Sequence, residues 1–124
     1  MLSEKFLEVI ANEGVVSITS WGNEDPHVTC TWNSYLVIKD NDKILIPAAG
    51  MNSTEGDVKV NNRLIITLGS RAVEGFNGYQ GTGFRVEGVA EFLSEGEYFD
   101  EMKAKYPFLN RVLLVNVKSS KQLL

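Results

Sequence analysis

The stretch Pro47-Ala48-Ala49-Gly50-Met51-Asn52-Ser53-Thr54-Glu55 is the most chemically suggestive part of the chain. Small residues lead out of an apolar run, and hydroxyl and amide side chains open a polar one. The pattern predicts a strand end, a close backbone turn at Gly50, and a helix from Ser53 or Thr54 to about Asn61, weakened by an interior Gly56. A helix start has free N–H groups and a partial positive charge, which suits a phosphate. Asn52, Ser53 and Thr54 would add side-chain donors. Asn52 and Glu55 also stand at capping-box spacing. An ordinary capped helix without a ligand explains the same residues, and this segment alone favours it, because capped helices are far commoner.

Thr29-Cys30-Thr31-Trp32-Asn33-Ser34-Tyr35 is the second candidate. On a continuous strand, Thr31, Asn33 and Tyr35 share one face, and Cys30, Trp32 and Ser34 the other. A polar face beside a large aromatic suits a flat heteroaromatic ring. A barrel wall with Trp32 in the core is the plainer alternative. The third is Gly78-Tyr79-Gln80-Gly81-Thr82-Gly83, which is neither the dinucleotide fingerprint nor a Walker A loop. Its glycines imply a close backbone approach or unusual dihedrals, or simply a flexible loop. Arg71 follows a strand and could reach a phosphate, although alone it reads as a surface arginine. His27 follows Pro26 in a turn and reads as solvent-facing and inert. Cys30 reads as a small buried hydrophobe. Glu13 sits at a helix end where its charge opposes the dipole, which points to a role outside the helix, if any. No carboxylates pair for acid–base work, so no catalytic residue and no metal ligand is assigned.

Composition narrows the function classes. The 124 residues make one domain, and the net charge of −4 argues against a nucleic-acid binder, which should show a basic face. One cysteine excludes an internal disulfide, and one histidine makes a Ser/His/Asp triad or a dedicated metal site hard to build from one chain. No apolar run approaches the ~20 residues that span a bilayer. The start, Met1-Leu2-Ser3-Glu4-Lys5, lacks the form of a secretory signal, so the cytoplasm is the expected compartment.

The elements that must position these residues are mostly strands. Residues 3–12 read as an amphipathic helix capped by Ser3. Strands are expected at Val15–Trp21, 27–39, Lys43–Ala49, Arg63–Ser70, Phe84–Leu93 and Arg111–Val117. Asp40-Asn41-Asp42 is a hairpin turn, Glu74 to Gly83 a glycine-rich loop, and Glu95 to Tyr106 a helix ended by Pro107. The expected fold is mainly β: a six-stranded antiparallel Greek-key barrel with two or three short helices, which the resemblance below narrows to a split barrel.

Several blocks in order carry a resemblance. They are Asn12-Glu13-Gly14-Val15-Val16, Thr31 to Leu36, Gly50-Met51, Thr67-Leu68-Gly69-Ser70-Arg71 and Gly81-Thr82-Gly83-Phe84. Nearly end to end, the chain resembles the FMN-binding split-barrel superfamily that includes the pyridoxamine-phosphate oxidases. It is similar to that superfamily's small FMN-binding proteins of anaerobic bacteria. The resemblance implies a homodimer with one FMN per chain at the subunit interface. It would lay Thr29, Cys30, Thr31, Trp32, Asn33 and Tyr35 along the flavin, with Pro47, Ala48, Ala49 and Gly50 near the ring and ribityl chain. Asn52, Ser53 and Thr54 would take the phosphate, with Ser70 and Arg71 close by and Gln80, Gly81 and Thr82 at the ring edge. Glu13, Phe108 and Leu124 would come from the opposite subunit. Relatives usually carry lysine where this chain has Ser53, and asparagine where it has Asp57. Arg71 and the helix terminus are expected to offset the missing cation.

A dimer also follows from physics. A flavin is large, flat and mostly apolar, and a small barrel filled by its own side chains offers it only an outer groove. A second chain would close that groove and cover the apolar C-terminus. The expected function is electron transfer, with a redox partner protein, or a small flavin oxidoreductase using NAD(P)H or a small substrate. A non-redox barrel that binds another small ligand and has lost tight FMN binding is the alternative. A ligand that co-purifies without a flavin spectrum would mark it.

Overall fold

The computed structural model describes residues 1–124. The chain opens with α1 (Glu4–Ile10), where Ser3 Oγ accepts from the Phe6 N–H at 3.1 Å. Such a cap is worth about 1 kcal/mol. Phe6 and Val9, one helical turn apart, are both fully buried. There follow β1 (Val15–Ser20), β2 (His27–Trp32), β3 (Val37–Lys39), β4 (Lys43–Ala48), α2 (Asn52–Val60), β5 (Arg63–Glu74), β6 (Gln80–Leu93), α3 (Glu97–Lys105) and β7 (Arg111–Gln122).

All strands join one antiparallel sheet in the order β2-β1-β5-β6-β7-β4-β3. The sequence suggested six strands in a closed barrel. The structure has seven, and the sheet is not closed, because β2 and β3 form opposite edges with no ladder between them. The extra strand arises where the expected strand 27–39 breaks at a 3-10 turn, Asn33–Tyr35. Asn33 causes the break. It is 1% exposed, and its Nδ2 donates to Asn12 O at 2.9 Å and Gly69 O at 3.1 Å. Its backbone N–H donates to Gly14 O at 2.9 Å. These acceptors lie on the end of α1 and on β5, so the chain turns to reach them instead of extending.

Half of the glycine-rich stretch is strand and half is the connection between strands. Residues 75–79 lie outside both strands, and the β5–β6 ladder is irregular between Ser70 and Glu74. Gly69 pairs with Gly83 because the two backbones nearly touch: a Cβ on Gly83 would lie 2.6 Å from Leu68 O. β7 runs past Val117 to Gln122 after a bulge at Glu87/Gly88. Nineteen buried residues, from Phe6 and Ile18 to Val117, fill the curl of the sheet. A second cluster, Leu45, Met102, Leu109, Val112 and Leu114, seats α3 on the outer side of β4 and β7.

Candidate functional site

The β1–β2 hairpin has two ends, and a concavity lies near each. At one end Ser20 pairs with His27, and at the other Val15 pairs with Trp32. At about 3.3 Å per residue the ends are roughly 17 Å apart.

The pocket at the His27 end holds about 260 Å³ and is lined by His27, Val28, Thr29, Met51, Asn52, Ser53 and Thr54. The start of α2 forms its floor. Gly50 and Met51 turn the chain with positive φ values of 80° and 54°, and the Arg111 guanidinium donates to the Gly50 carbonyl behind the turn. The expected capping box is absent. Met51, not Asn52, is the N-cap residue, and no side chain caps the helix. Glu55 instead turns back towards β7, its Oε1 3.0 Å from Arg111 Nε. The first N–H groups of α2 therefore remain unspent beside the Ser53 and Thr54 hydroxyls. This donor set suits an anionic group the size of a phosphate.

A buried Ser20–Asp57 pair, joined by the exposed His27, backs the pocket. Asp57, 6% exposed, accepts from Ser20 Oγ at 2.8 Å and lies 2.7 Å from His27 Nδ1, both through Oδ2. Burial by itself pushes the Asp57 carboxyl up, but the His27 and Ser20 hydrogen bonds outweigh it and hold the pKa below its ordinary value. His27 is therefore not the inert residue its turn position suggested. The trio is not a nucleophilic triad either: the serine donates to the carboxylate, not to the imidazole.

The cleft at the other end holds about 760 Å³. Of the expected residues, Glu13, Ser70, Arg71, Gln80, Gly81, Thr82 and Leu124 line it. Glu13, Thr82 and Leu124 are engaged within the chain, while the Arg71 and Gln80 side chains make no hydrogen bond or ion pair. Glu13 Oε2 accepts from Ser34 Oγ at 2.8 Å, and Oε1 from the Ser34 and Gly14 N–H groups at 3.1 and 3.3 Å. The Ser34 hydroxyl, then its N–H, hold the Glu13 carboxyl below the usual glutamate range. The Leu124 carbonyl oxygen accepts from Thr82 Oγ1 at 2.7 Å and Gln122 Nε2 at 2.9 Å. Arg71 lines this cleft and not the α2 pocket.

The remaining expected residues divide by burial. Thr31, Asn33, Pro47 and Ala48 are buried in the walls, whereas Ala49 and Gly50 are exposed. Trp32 is 46% exposed and Cys30 is exposed, the reverse of a core tryptophan and a buried thiol. The reason is that β2 is an edge strand: Thr31 faces inward, and Cys30 and Trp32 alternate outward beside Val15 and Ser17 of β1. Tyr35 and Phe108 meet with ring centroids 5.6 Å apart, and Tyr106 completes the cluster. Sequence reasoning left His27, Asp57 and Arg111 out of the site. Asp57 lies 30 residues from His27, and only tertiary packing reveals the pairing.

Fold and site together define a small open β-barrel with an uncapped helix start beside a pocket on its flank. Residues 2–122 match the family model described as pyridoxamine 5'-phosphate oxidase, and the chain belongs to that family. It is 43% identical, over the full 124 residues of both chains, to the FMN-binding protein of Nitratidesulfovibrio vulgaris (strain DSM 19637 / Miyazaki F). Among solved structures, HupZ of Group A Streptococcus superposes with a TM-score of 0.78 at 16% identity, covering 99% of this chain and 94% of that one. An FMN-binding protein from Syntrophomonas wolfei subsp. wolfei gives 0.70 at 19%, covering 88% and 76%. At these identities the structural likeness shows the fold alone. No helix is long and apolar enough to cross a membrane.

Proposed function

We propose that the chain is an FMN-binding flavoprotein, with one FMN per chain at a homodimer interface, serving electron transfer or a small flavin oxidoreduction. The observation that carries this reading is the uncapped start of α2, whose unspent donors face a pocket beside the hairpin. The FMN-binding relative, similar over its whole length, supports the choice of phosphate ester. The N–H groups of Asn52, Ser53 and Thr54 and the two hydroxyls bind the phosphate, and Arg111 stiffens the turn that presents them. Outward-facing Trp32 and Val28 offer an apolar wall to the ring. When bound, FMN supplies the one- or two-electron chemistry, so the chain need contribute only binding, orientation and charge.

The dimer rests on an apolar face. Val15, Val28, Trp32, Leu123 and Leu124 are each about half exposed or more. The total surface of 6593 Å² matches the roughly 6600 Å² that a compact chain of 13.8 kDa exposes, so no arm is held out for exchange. Association would therefore dock faces. A stable pair needs about 800 Å² per partner. Docking would bring the Glu13–Leu124 end of one chain to the flavin of the other. An ionised carboxylate near the ring disfavours the anionic reduced flavin, so Glu13→Gln raises the midpoint potential. An unchanged or lower potential counts against this placement.

The direct test is the absorption spectrum of the purified protein before and after acid precipitation, with the mass measured by sedimentation. Two flavin bands released at about one FMN per chain, from a dimer, are expected. A colourless monomer that does not quench added FMN fluorescence overturns the reading. Rapid bleaching by NADH or NADPH would select an NAD(P)H-dependent oxidoreductase; its absence would leave the carrier or an oxidoreductase acting on a small substrate.

A further inference from the structure

We propose that His27 is the cation of the α2 pocket: its imidazole grips a phosphate when protonated and loosens it when neutral, with Asp57 and Ser20 fixing the ring. The inference rests on the reading that a phosphate ester occupies this pocket.

The pocket has donors but no lysine or arginine in its lining. His27 is the one lining residue able to carry a positive charge. The charged groups nearby are committed elsewhere. Arg111 on β7 holds Gly50 and Glu55, and Arg63 on β5 holds Glu87 of β6 and stacks on Trp21. Lys59 sits in the last turn of α2, away from the pocket, and Glu24 and Asp25 lie exposed in the turn before β2. Asp57 is the charged group in contact with the ring.

That contact decides which ring nitrogen titrates. An ionised carboxylate only accepts hydrogen bonds, so Nδ1, 2.7 Å from Asp57 Oδ2, carries a hydrogen in both charge states. The second proton therefore goes on and off at Nε2, on the side of the ring away from Asp57. Neutral, Nε2 presents a lone pair, which repels a phosphate oxygen. Protonated, it presents an N–H and a full charge. One proton thus reverses the sign of the contact. The carboxylate is held firmly for this task. Ser20 Oγ binds Oδ2, and a Cβ on Gly22 would lie 2.7 Å from Oδ1, so bare backbone closes over the other oxygen. The imidazole itself is 48% exposed and open to protons from solvent.

The experiment titrates apoprotein with FMN and with riboflavin, which lacks the phosphate, and reads dissociation constants from flavin fluorescence. Wild type, His27→Gln and His27→Lys are compared at about pH 6 and about pH 8.5. The phosphate's own ionisation near pH 6 is common to all three and cancels in their ratio. At the lower pH, wild type should bind FMN about tenfold more tightly than His27→Gln, the size of one charge-assisted contact. At the higher pH the two should converge, while His27→Lys stays tight. Riboflavin affinity should be the same throughout. A His27→Gln variant that follows wild type at both pH values overturns the clamp and leaves the flavin reading standing. A loss shared equally by riboflavin assigns His27 to the fold instead. A wild type that binds FMN and riboflavin alike at every pH overturns the phosphate reading and the clamp together.

Discussion

The two ends of the β1–β2 hairpin use polar groups in opposite ways. Around Glu13 the carboxylate and the C-terminal residue are bonded within the chain, while Asn33 Oδ1 is buried without a partner and the Arg71 guanidinium makes no ion pair. Both carboxylate oxygens are occupied, Asn33 Nδ2 bridges the end of α1 to β5, and the C-terminal residue is tied to Thr82 and Gln122. Around His27 the buried layer is satisfied by the Ser20–Asp57 bond, yet the layer above it, at the start of α2, is left open. A folding reaction gains nothing from unspent donors, whereas a ligand does. The contrast separates an end whose carboxylate is fixed by the chain from an end whose helix donors are left open.

Substitutions at Gly14 break the comparison most sharply. A Cβ there would lie 2.2 Å from Gly69 O and 2.8 Å from Asn33 Nδ2, contacts no real side chain makes. Gly14→Ala should cost about 3 kcal/mol or more in urea unfolding, at the upper end of overpacking penalties. A cost below about 1 kcal/mol would mean this end is not rigid.

Asp57→Asn probes the other end through pH. The folded pKa of Asp57 is lowered, so its contribution to stability is present above the ordinary carboxylate range, near pH 4, and is lost as pH falls through the lowered value. The variant should be less stable than wild type at pH 7, and the gap should narrow at an acid pH below the ordinary carboxylate range. Urea midpoints at the two pH values measure it; a constant gap would remove the ionised pair.

Gly56 gives the smallest effect. It is exposed in the interior of α2, and nothing lies within 4 Å of an added Cβ. Gly56→Ala should stabilise the protein by about 0.5–1 kcal/mol and leave ligand binding intact. A destabilised variant would show that α2 needs its glycine for more than propensity.

Much of this was legible in the sequence. Alternation in Val15–Trp21 and Phe84–Leu93 marked real strands, and Ser3 marked a real cap, because each is decided by neighbours in the chain. The helix start after Gly50 was legible for the same reason. What was hidden depends on distant partners. Asn33 sits in a run of strand formers, and the carbonyls that turn it belong to residues 12 and 69. Residues 74–83 look like loop, but their glycines serve backbone contact between β5 and β6. Glu55 stands at capping-box spacing, yet Arg111, 56 residues later, claims it. Trp32 reads as core until the edge position of β2 is known.

The most direct test of the open end is Ser53→Asp, which sets a carboxylate in the first turn of α2. In the empty protein a negative charge there complements the helix dipole and should not lower the unfolding midpoint. Against a phosphate it is repulsive. The account predicts that FMN affinity falls at least about tenfold, with riboflavin affinity unchanged. Equal losses for the two flavins, or no loss for FMN, would contradict it.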